Sequence, residues 1–550
     1  MCLLNTDSWC PLPLYQPLSA CEAMLSRFSR LRPVPFPRGF LLASLSGVLL
    51  TLSIPKVDWW PLAWVAFVPV LIALYDARQP ENTKRVYTIG LTFGFVSGVG
   101  KVYWVTETVV SYGGLGWVLG LFSMAMVALL LASYALVFSL FAARTNWRNA
   151  AFPLLAASLW TALEYLQTYL FTGFPWELLG YSQHRVLTVI QISRWTGVYG
   201  VSFLVLLVNA TLALYFVGIR DGFQWRTPVR ALGITTALMI ATVGYGWYAL
   251  NATHTNETQT PVLRVAVAQG NVQQHEKWSA GRLQKTINTY TLLTLDALKQ
   301  KPDLIVFPET AMTFYLENPT YQAFTRQVTD LVDAVRVPLL TGALGFDVQK
   351  KGEIYNSAFL LVPKQGVVAR YSKSHLVPFG EYIPFTLLFS WLEKLTLDTG
   401  VLTPGDGPTV MDVPGGELSL GTAICYESIF PDLVRRFVLN GANVLVVITN
   451  DAWFGDSSAP RQHFSMAVFR AVENATPVVR AANTGISGYI SATGQTFGLT
   501  PLNRSTTTIG DLYPRREGPT PYTRFGDVFS WLCVAASLVG IVVTGRSSKQ

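Results

Sequence analysis

Long apolar runs separated by short polar loops fill the first half of the chain, and one more run lies near its end. The runs cover about residues 39–54, 60–76, 87–107, 115–142, 151–171, 197–217, 231–249 and 526–544. Most of them are long enough to cross roughly 30 Å of hydrocarbon as helices. The pattern therefore predicts about eight transmembrane helices, of which the first two form a tight hairpin.

A different pattern follows a polar, threonine-rich linker at residues 251–260. Strands are predicted at 262–268, 304–307, 337–342, 357–362, 367–371 and 443–449, and helices at 281–299, 321–335 and 431–439. The alternation of strands with helices predicts an α/β domain whose sheets are covered by helices.

Composition supports this division into two parts. Charged residues make up 13% of the 550 residues, against roughly 25% in ordinary soluble proteins. Short apolar runs also occur in buried core helices, but eight of them with so few charges favour a membrane bundle. The predicted fold class is therefore a membrane α-helical bundle joined to an α/β domain.

The basic residues predict how the chain is oriented. They occur in the N-terminal segment, in every second loop and in the C-terminal tail: Arg27, Arg30, Arg32, Arg38, Arg78, Lys84, Arg85, Arg144, Arg148, Arg220, Arg226, Arg230, Arg546 and Lys549. Because basic loops stay in the cytoplasm, both termini are predicted to be cytoplasmic. In a Gram-negative bacterium the long polar segment then lies in the periplasm, and the chain is a multi-pass protein of the inner membrane.

Four parts are predicted along the chain. They are an N-terminal cytoplasmic extension (1–38), transmembrane helices one to seven (39–250), the periplasmic α/β domain (251–524), and the eighth transmembrane helix with a cytoplasmic tail (525–550). Met24 is an alternative start, because a basic run and a membrane span follow it directly. N-terminal sequencing of the native protein would distinguish the two starts.

The net charge of +8 is accounted for by the cytoplasmic loops and gives no reason to expect a nucleic-acid partner. The sequence contains no zinc-type cysteine pairs, no Walker loop and no RNA-binding signature. No metal or other cofactor is expected.

One cysteine stands apart from the other four. Cys425 is the only cysteine of the polar segment, which therefore has no internal disulfide framework. A lone cysteine is usually a small buried hydrophobic residue. Cys425, however, lies where a strand beginning near Leu418 turns towards the helix predicted at 431–439, and the positive end of a helix dipole favours a thiolate.

Two further polar residues follow predicted strands, Glu309 after 304–307 and Lys373 after 367–371. Each alone is typical of a solvated loop, but the three residue types complement one another chemically. A carboxylate can take the proton of a thiol whose free pKa is roughly 8.5. A cation can stabilise the oxyanion formed when the thiolate attacks a carbonyl. Glu309, Lys373 and Cys425 are therefore the candidate catalytic residues.

The strings around these residues resemble a known superfamily. Phe307-Pro308-Glu309-Thr310, Lys373 and Ile424-Cys425-Tyr426-Glu427 are similar to the Glu-Lys-Cys triad of the nitrilase superfamily. The longer strings at 269–272, 373–384 and 449–455 resemble the bacterial apolipoprotein N-acyltransferase family, as does the layout of eight spans around a polar insert. The resemblance covers roughly residues 39–544 and implies that the α/β domain is a nitrilase-like αββα sandwich.

The resemblance also implies a reaction. Cys425 would take the sn-1 acyl chain of a phospholipid as a thioester, and the α-amine of the N-terminal S-diacylglyceryl cysteine of an apolipoprotein would then receive it. Glu309 would be the general base and Lys373 would stabilise the oxyanion. The same motifs suggest supporting or substrate-binding roles for Glu381, Glu427, Tyr426 and Trp278. The ordinary alternatives are packing for Trp278 and Tyr426, and a first-turn helix acid for Glu427.

Two other functions stay open at this point, and so does the role of three charged residues in the apolar runs. The triad alone does not separate amine transfer from hydrolysis by a membrane-tethered carbon–nitrogen amidase. A transporter whose polar domain binds peptide is the non-enzymatic alternative. Lys101, Glu107 and Glu164 lie within apolar runs, where charges are costly. They either line a path for lipid headgroups, or form an internal structural pair or lie near the membrane interface.

Overall fold

The computed structural model describes residues 36–114, 116–257, 262–277, 280–347, 352–383 and 402–547. Seven long helices come first: α1 (Phe36–Leu52), α2 (Val68–Asp76), α3 (Thr83–Val102), α4 (Trp117–Arg144), α5 (Phe152–Tyr169), α6 (Val198–Arg220) and α7 (Arg226–Glu257). Because α7 continues to Glu257, residues 251–257 are helical and do not form the predicted linker.

Small residues bring two of these helices into close contact. Gly94 of α3 lies so near α4 that a Cβ atom there would stand 2.5 Å from the Cα atom of Ala132. Gly90 and Gly98, one turn away on either side, also face α4. Such stripes of small residues let helix backbones approach closely, which is how helices commonly associate within a bilayer.

The described residues of the polar half form four long helices and two sheets. The helices are α8 (Leu283–Ala297), α9 (Gln322–Val335), α10 (Pro431–Leu439) and α11 (Ala459–Asn474). The strands are β1 (Leu263–Gln269), β2 (Leu304–Val306), β3 (Met312–Tyr315), β4 (Leu339–Phe346), β5 (Ile354–Val362), β6 (Gly366–Ser372), β7 (Val410–Asp412), β8 (Ser419–Ile424), β9 (Val444–Thr449), β10 (Val478–Ala482), β11 (Gly488–Ile490), β12 (Thr496–Phe497) and β13 (Thr506–Leu512).

The strands form two sheets of similar size. The first has the order β13-β1-β2-β4-β5-β6, with β3 pairing on β4, and the second has the order β12-β11-β10-β9-β8-β7. In the first sheet β1, β2 and β4 are parallel, and in the second β8, β9 and β10 are parallel. Antiparallel strands complete both sheets, including the β5–β6 hairpin predicted from sequence.

Alternating side chains of the first sheet pack on two different cores. Val265 and Val267 of β1 belong to the same buried cluster as Leu420 and Val446 of the second sheet, so part of this cluster lies between the sheets, and the rest extends into the helical half. The intervening Ala266 instead packs with the inner faces of α8 and α9. Because successive side chains of a strand point to opposite faces, one face of this sheet packs on the first core and the other face packs on the second. The result is a layered α/β domain in which helices cover the sheets.

A last long helix, α12 (Val528–Ser547), follows the domain and packs on α5. Each of the eight predicted apolar runs is largely helical in the structure. Within the described residues, three helices are long and apolar enough to cross a membrane: Trp117–Arg144, Val198–Arg220 and Arg226–Thr253. Pro37–Leu52, Trp60–Asp76 and Val528–Val542 are apolar but shorter. The count of eight spans therefore stays a prediction, as do the four domain boundaries.

Short helical segments connect the long elements. They are Trp60–Trp64, Pro80–Asn82, Trp104–Glu107, Thr108–Tyr112, Leu179–Gln183, Leu187–Ile190, Ser193–Thr196, Gln274–Lys277, Ala280–Arg282, Leu298–Gln300, Pro319–Tyr321, Cys425–Ile429, Asp451–Phe454 and Pro521–Phe525. Three of them, Gln274–Lys277, Cys425–Ile429 and Asp451–Phe454, carry residues of the site described next.

Candidate active site

The three residues singled out from the sequence lie together at one end of the two sheets. Glu309 follows β2, Lys373 directly follows β6, and Cys425 directly follows β8. The Nζ atom of Lys373 is 4.0 Å from Oε1 of Glu309, and both charges act on the Cys425 thiol. All three side chains are buried. The first sheet thus contributes the acid and the cation, and the second contributes the thiol.

Sharp turns present Cys425 and Glu309 at the strand ends. Cys425 has φ +54° and Thr310 has φ +46°, a region that non-glycine residues rarely adopt. Gly342 of β4 makes room for the second turn, since a Cβ atom there would lie 2.5 Å from the Thr310 nitrogen. Strained backbone of this kind costs on the order of 1–3 kcal/mol per residue and occurs preferentially at functional sites.

Buried polar groups stabilise the turn at Cys425 from behind. The Ser428 hydroxyl donates to the Cys425 carbonyl at 2.8 Å, and Nε2 of His463 lies 2.8 Å from the same hydroxyl. On its other side, Nδ1 of His463 lies 3.1 Å from the carboxylate of Asp451, which also forms an ion pair of 2.9 Å with Arg480. The carbonyl of Cys425 is therefore held in place by buried hydrogen bonds.

Two amide groups fix the Glu309 carboxylate. Nδ2 of Asn356 donates to Oε1 at 2.6 Å, and the backbone N–H of Asn450 donates to Oε2 at 2.7 Å. Each oxygen of the Glu309 carboxylate is therefore fixed by its own hydrogen bond. Asn356 is an interior residue of β5 and Asn450 follows β9, so each sheet provides one donor.

Glu381 is the immediate partner of the cation. Its Oε1 atom accepts from Nζ of Lys373 at 2.8 Å, and its Oε2 atom accepts from the backbone N–H of Val377 at 2.8 Å. Burial lowers the pKa of Lys373, but Glu381 and the other negative groups outweigh it, so this pKa is raised above its ordinary value. Lys373 is thus a fixed positive charge.

Glu427 connects the loop of Lys373 to the turn of Cys425. It is fully buried, and its carboxylate accepts hydrogen bonds of 2.7–3.1 Å from the Tyr371 hydroxyl, the Ser374 hydroxyl and the backbone N–H groups of Ser374, His375 and Ile424. The bond from Ile424 is the capping bond of a first-turn helix acid, which Glu427 is in the segment Cys425–Ile429, but the bonds from Tyr371, Ser374 and His375 go beyond that role. The carboxylate instead sets the distance between two of the three candidate catalytic residues.

The electrostatics of Cys425 differ from the expectation based on the helix dipole. Burial raises the pKa of the Cys425 thiol well above its ordinary value, Glu309 raises it further, and Lys373 lowers it. The residue begins a helical segment of only five residues, and the longer helix α10 starts at Pro431. The dipole is therefore not the dominant influence. Cys425 is a thiol at rest and needs a base to become a nucleophile.

A loop of the helical half contacts the residues next to Cys425. The Tyr426 hydroxyl donates to the carbonyl of Gly173 at 2.8 Å, in the loop after α5. The ring of Phe430 packs against those of Tyr426 and His375, at centroid distances of 5.1 Å and 4.1 Å, and these two rings are 5.8 Å apart. Trp278, the other residue suggested near an acyl site, lies outside the described residues.

His375 predicts a dependence of stability on pH. Burial and Lys373 lower its pKa to about 4, whereas an unfolded histidine titrates near 6.5. Between these values the unfolded chain binds the extra proton, so the free energy of unfolding falls as the pH drops from 6.5 to 4, by up to about 3 kcal/mol for this group. Thermal unfolding across this range should show a smaller loss for His375→Phe than for the wild type. Equal losses in both proteins would contradict this assignment.

The charged residues of the apolar runs occupy different surroundings. Oε1 of Glu164 in α5 accepts from the Leu179 backbone N–H at 2.6 Å and from Nε1 of Trp160 at 3.0 Å. Lys101 of α3 and Glu164 line the same small cavity. Glu107 accepts a hydrogen bond of 2.6 Å from Ser111. The contacts of Glu164 favour the structural interpretation for that residue.

Sequence reasoning missed several polar residues of this site. The sequence did not predict a role for Asn356, Lys277 or His463, and Asn450 entered only as part of the string at 449–455. Asn356 and His463 lie inside a regular strand and a regular helix, where nothing in the local sequence marks them. Lys277 contacts the Glu309 segment from a distant part of the chain. Among the described residues, no group of three or more His, Cys, Asp or Glu side chains could hold a metal ion.

Two family descriptions match consecutive parts of the sequence. Residues 46–211 match the apolipoprotein N-acyltransferase N-terminal domain, and residues 264–522 match carbon-nitrogen hydrolase. The first match covers most of the helical half, and the second covers the α/β domain with Glu309, Lys373 and Cys425.

Relatives of the same name align over nearly the whole chain. The apolipoprotein N-acyltransferase of Geobacter metallireducens is 40% identical over 507 residues, which cover 91% of this chain and 94% of the relative. Those of Chlorobaculum tepidum and Brucella suis are 31% and 33% identical, and each alignment covers 92% of this chain and 97% or 96% of the relative. Among solved structures, an amidase from Nesterenkonia aligns with 48% of this chain and 92% of its own at 19% identity. Its TM-score of 0.36 is too low to support any inference.

Proposed function

This chain belongs to the apolipoprotein N-acyltransferase family, and we propose that it transfers an acyl chain from the sn-1 position of a phospholipid to an apolipoprotein. The acceptor is the α-amine of the N-terminal S-diacylglyceryl cysteine, and the product is an amide. The observation that carries the proposal is the buried group of Glu309, Lys373 and Cys425 within a chain that also has a family-specific helical half.

The first half-reaction forms a thioester. The Glu309 carboxylate takes the proton of the Cys425 thiol, and the sulfur attacks the ester carbonyl carbon of the phospholipid. Lys373 stabilises the negative charge that develops on the carbonyl oxygen. The carbon–oxygen bond of the ester then breaks, Glu309 returns the proton to the departing oxygen, and a lysophospholipid leaves.

The second half-reaction reverses these roles. The uncharged α-amine of the lipoprotein attacks the thioester carbonyl, and Glu309 accepts the proton that the amine loses. The carbon–sulfur bond breaks, the new carbon–nitrogen bond completes the amide, and the proton returns to the sulfur of Cys425. No net proton or electron is consumed over the two steps, so no cofactor is needed.

The architecture supports a reaction between two lipids. The helices allow both substrates, which are anchored in a bilayer, to reach a site at its surface. The buried position of Cys425 also limits access of water to the thioester, which protects it from hydrolysis. In this proposal all eight apolar runs cross the inner membrane, and the α/β domain lies in the periplasm. The hydrogen bond from Tyr426 to Gly173, in the loop after α5, links the site to the helices and keeps it at the membrane surface.

The match to carbon-nitrogen hydrolase makes hydrolysis the second candidate. Purified protein incubated with phosphatidylethanolamine and a synthetic diacylglyceryl lipopeptide distinguishes the two reactions by mass spectrometry of the products. We expect triacylated peptide and lysophospholipid in equal amounts. Release of free fatty acid without triacylated peptide would overturn the proposal in favour of the hydrolase.

A further inference from the structure

A chain of three buried polar side chains lies behind the turn of Cys425. The Ser428 hydroxyl lies 2.8 Å from Nε2 of His463, and Nδ1 of His463 lies 3.1 Å from Oδ1 of Asp451. The same order of hydroxyl, imidazole and carboxylate activates the nucleophile of serine hydrolases. Here, however, Ser428 is completely buried and its hydroxyl donates to the Cys425 carbonyl. The group therefore does not form a second nucleophile but acts on Cys425.

The contacts of His463 determine which ring nitrogen carries a proton. Burial and Arg480 lower the pKa of His463, so the ring is neutral and has a single N–H. Nε2 lies 3.2 Å from the Cys425 carbonyl oxygen, which can only accept a hydrogen bond. Nδ1 lies 3.1 Å from a guanidinium nitrogen of Arg480, which can only donate. Both contacts are satisfied when Nε2 carries the proton and Nδ1 accepts from Arg480.

Asp451 would favour the opposite tautomer, but both of its oxygens have other donors. Oδ1 accepts from the Thr449 hydroxyl at 2.9 Å, and Oδ2 accepts from Arg480 at 2.9 Å. With the proton on Nδ1, the lone pair of Nε2 would compete with the Cys425 carbonyl for the single proton of the Ser428 hydroxyl. Because buried polar groups without partners are costly, the tautomer with the proton on Nε2 is the more stable one.

The carbonyl of Cys425 needs this support because the residue has φ +54°. A residue in this region keeps its conformation only when its surroundings hold it there. Ser428 and His463 hold the carbonyl, whereas Glu309 and Lys373 follow strands of the other sheet and would not move with the turn. Relaxation of the turn would therefore displace the sulfur from its base and its cation.

We propose that His463 is a positioning residue for acyl transfer, which holds the turn of Cys425 by donating a hydrogen bond from Nε2 and so keeps the sulfur within reach of Glu309. The inference rests on the proposed function, because it takes Cys425 as the nucleophile. His463 itself contacts neither lipid nor sulfur in this role, and Arg480 keeps its N–H directed at the Cys425 turn.

Two variants separate the donor of His463 from the packing of its ring. Phenylalanine keeps a ring that can pack on Trp176, whose centroid is 5.9 Å from that of His463, but it has no N–H. Glutamine has no ring, but its amide N–H reaches about as far as Nε2. Full-length protein in detergent is mixed with radiolabelled phosphatidylethanolamine at several concentrations, and acylation of Cys425 is followed in a single turnover.

For His463→Phe we expect the maximal rate of acylation to fall by about 10²-fold, the usual effect of a displacement near 1 Å. The lipid concentration that gives half of this rate should stay the same within about twofold, because His463 does not bind lipid. For His463→Gln we expect a rate within about tenfold of the wild type, since one hydrogen-bond donor is restored.

Alkylation of Cys425 by iodoacetamide reports the same displacement without any lipid. At a fixed, mildly alkaline pH, a sulfur that has moved away from Glu309 loses its base. We therefore expect the alkylated Cys425 peptide, quantified by mass spectrometry, to form about tenfold more slowly in His463→Phe than in the wild type. His463→Gln should again lie closer to the wild type.

His184→Phe is the matched control for loss of a buried histidine. His184 lies in the helical half, where its ring contacts the Tyr181 carbonyl at 3.3 Å and the Asp58 carboxylate at 3.7 Å, and its replacement should leave both rates near those of the wild type. The proposal is overturned if His463→Phe keeps the wild-type rate in either reaction, if His463→Gln is as slow as His463→Phe, or if His184→Phe is equally slow. Absence of acyl-enzyme in the wild type would refute the proposed function, and the alkylation rates would still test the role of His463.

Discussion

Replacement of Cys425 by serine is expected to lower acyl transfer by on the order of 10⁴-fold or more, although the side chain keeps its shape. A serine hydroxyl forms a stable anion far less readily than a thiol does. Glu309 can deprotonate a buried thiol with help from Lys373, but a serine oxygen in the same surroundings stays protonated. The measurement is the initial rate of triacylated peptide formation by purified Cys425→Ser.

Cys533→Ala provides the control for loss of a cysteine. Cys533 is also buried, but it lies in α12, so its replacement should leave the rate close to that of the wild type. Full activity in Cys425→Ala would contradict the thioester route. The transporter interpretation, in which the polar domain only binds peptide, instead predicts that Cys425→Ala still complements loss of the protein in cells.

Replacement of Glu309 by glutamine should slow formation of the acyl-enzyme by about 10²–10⁴-fold, the usual contribution of a general base. Glutamine has nearly the same size and can still accept a hydrogen bond from Asn356 or from the Asn450 backbone. It cannot take the Cys425 proton, however, and the pKa of that thiol is raised by burial. A single-turnover assay with a radiolabelled phospholipid measures this step directly.

Glu317→Gln is a suitable comparison for the loss of a carboxylate. Glu317 forms a partly exposed ion pair of 2.7 Å with Arg370, away from the three candidate residues. Such pairs contribute little to stability, so near-normal acylation is expected. If Glu309→Gln acylates as fast as Glu317→Gln, another group removes the proton and the assignment of the base is wrong.

Local pattern predicted the elements that carry the site. The strand before Cys425, helix α10 and the β5–β6 hairpin all formed close to where the sequence placed them, because period-two alternation and helix caps act over a few residues. Glu309, Lys373 and Cys425 stand at strand ends, and strand ends converge when the strands lie side by side or face to face in packed sheets. That these three residues lie close together could therefore be predicted from the sequence, although their roles stay predictions.

The residues that form hydrogen bonds around this group could not be predicted from the sequence in the same way. Asn356 bridges Glu309 and Glu381, and Lys277 reaches the Glu309 turn from a segment more than thirty residues away. Both contacts depend on tertiary packing that no local pattern encodes. The expected effect of the helix dipole on Cys425 failed for a related reason, since it considered the secondary structure and left out burial.

The most direct test of the account is the mass of the Cys425 peptide after the protein has been incubated with phospholipid alone. Without an acceptor amine the reaction stops at the acyl-enzyme, so we predict that this peptide gains the mass of one fatty acyl group. The group should be released by neutral hydroxylamine, as expected for a thioester, and should be absent in Cys425→Ala. An unmodified Cys425 peptide, or an acyl group on any other residue, would contradict the account.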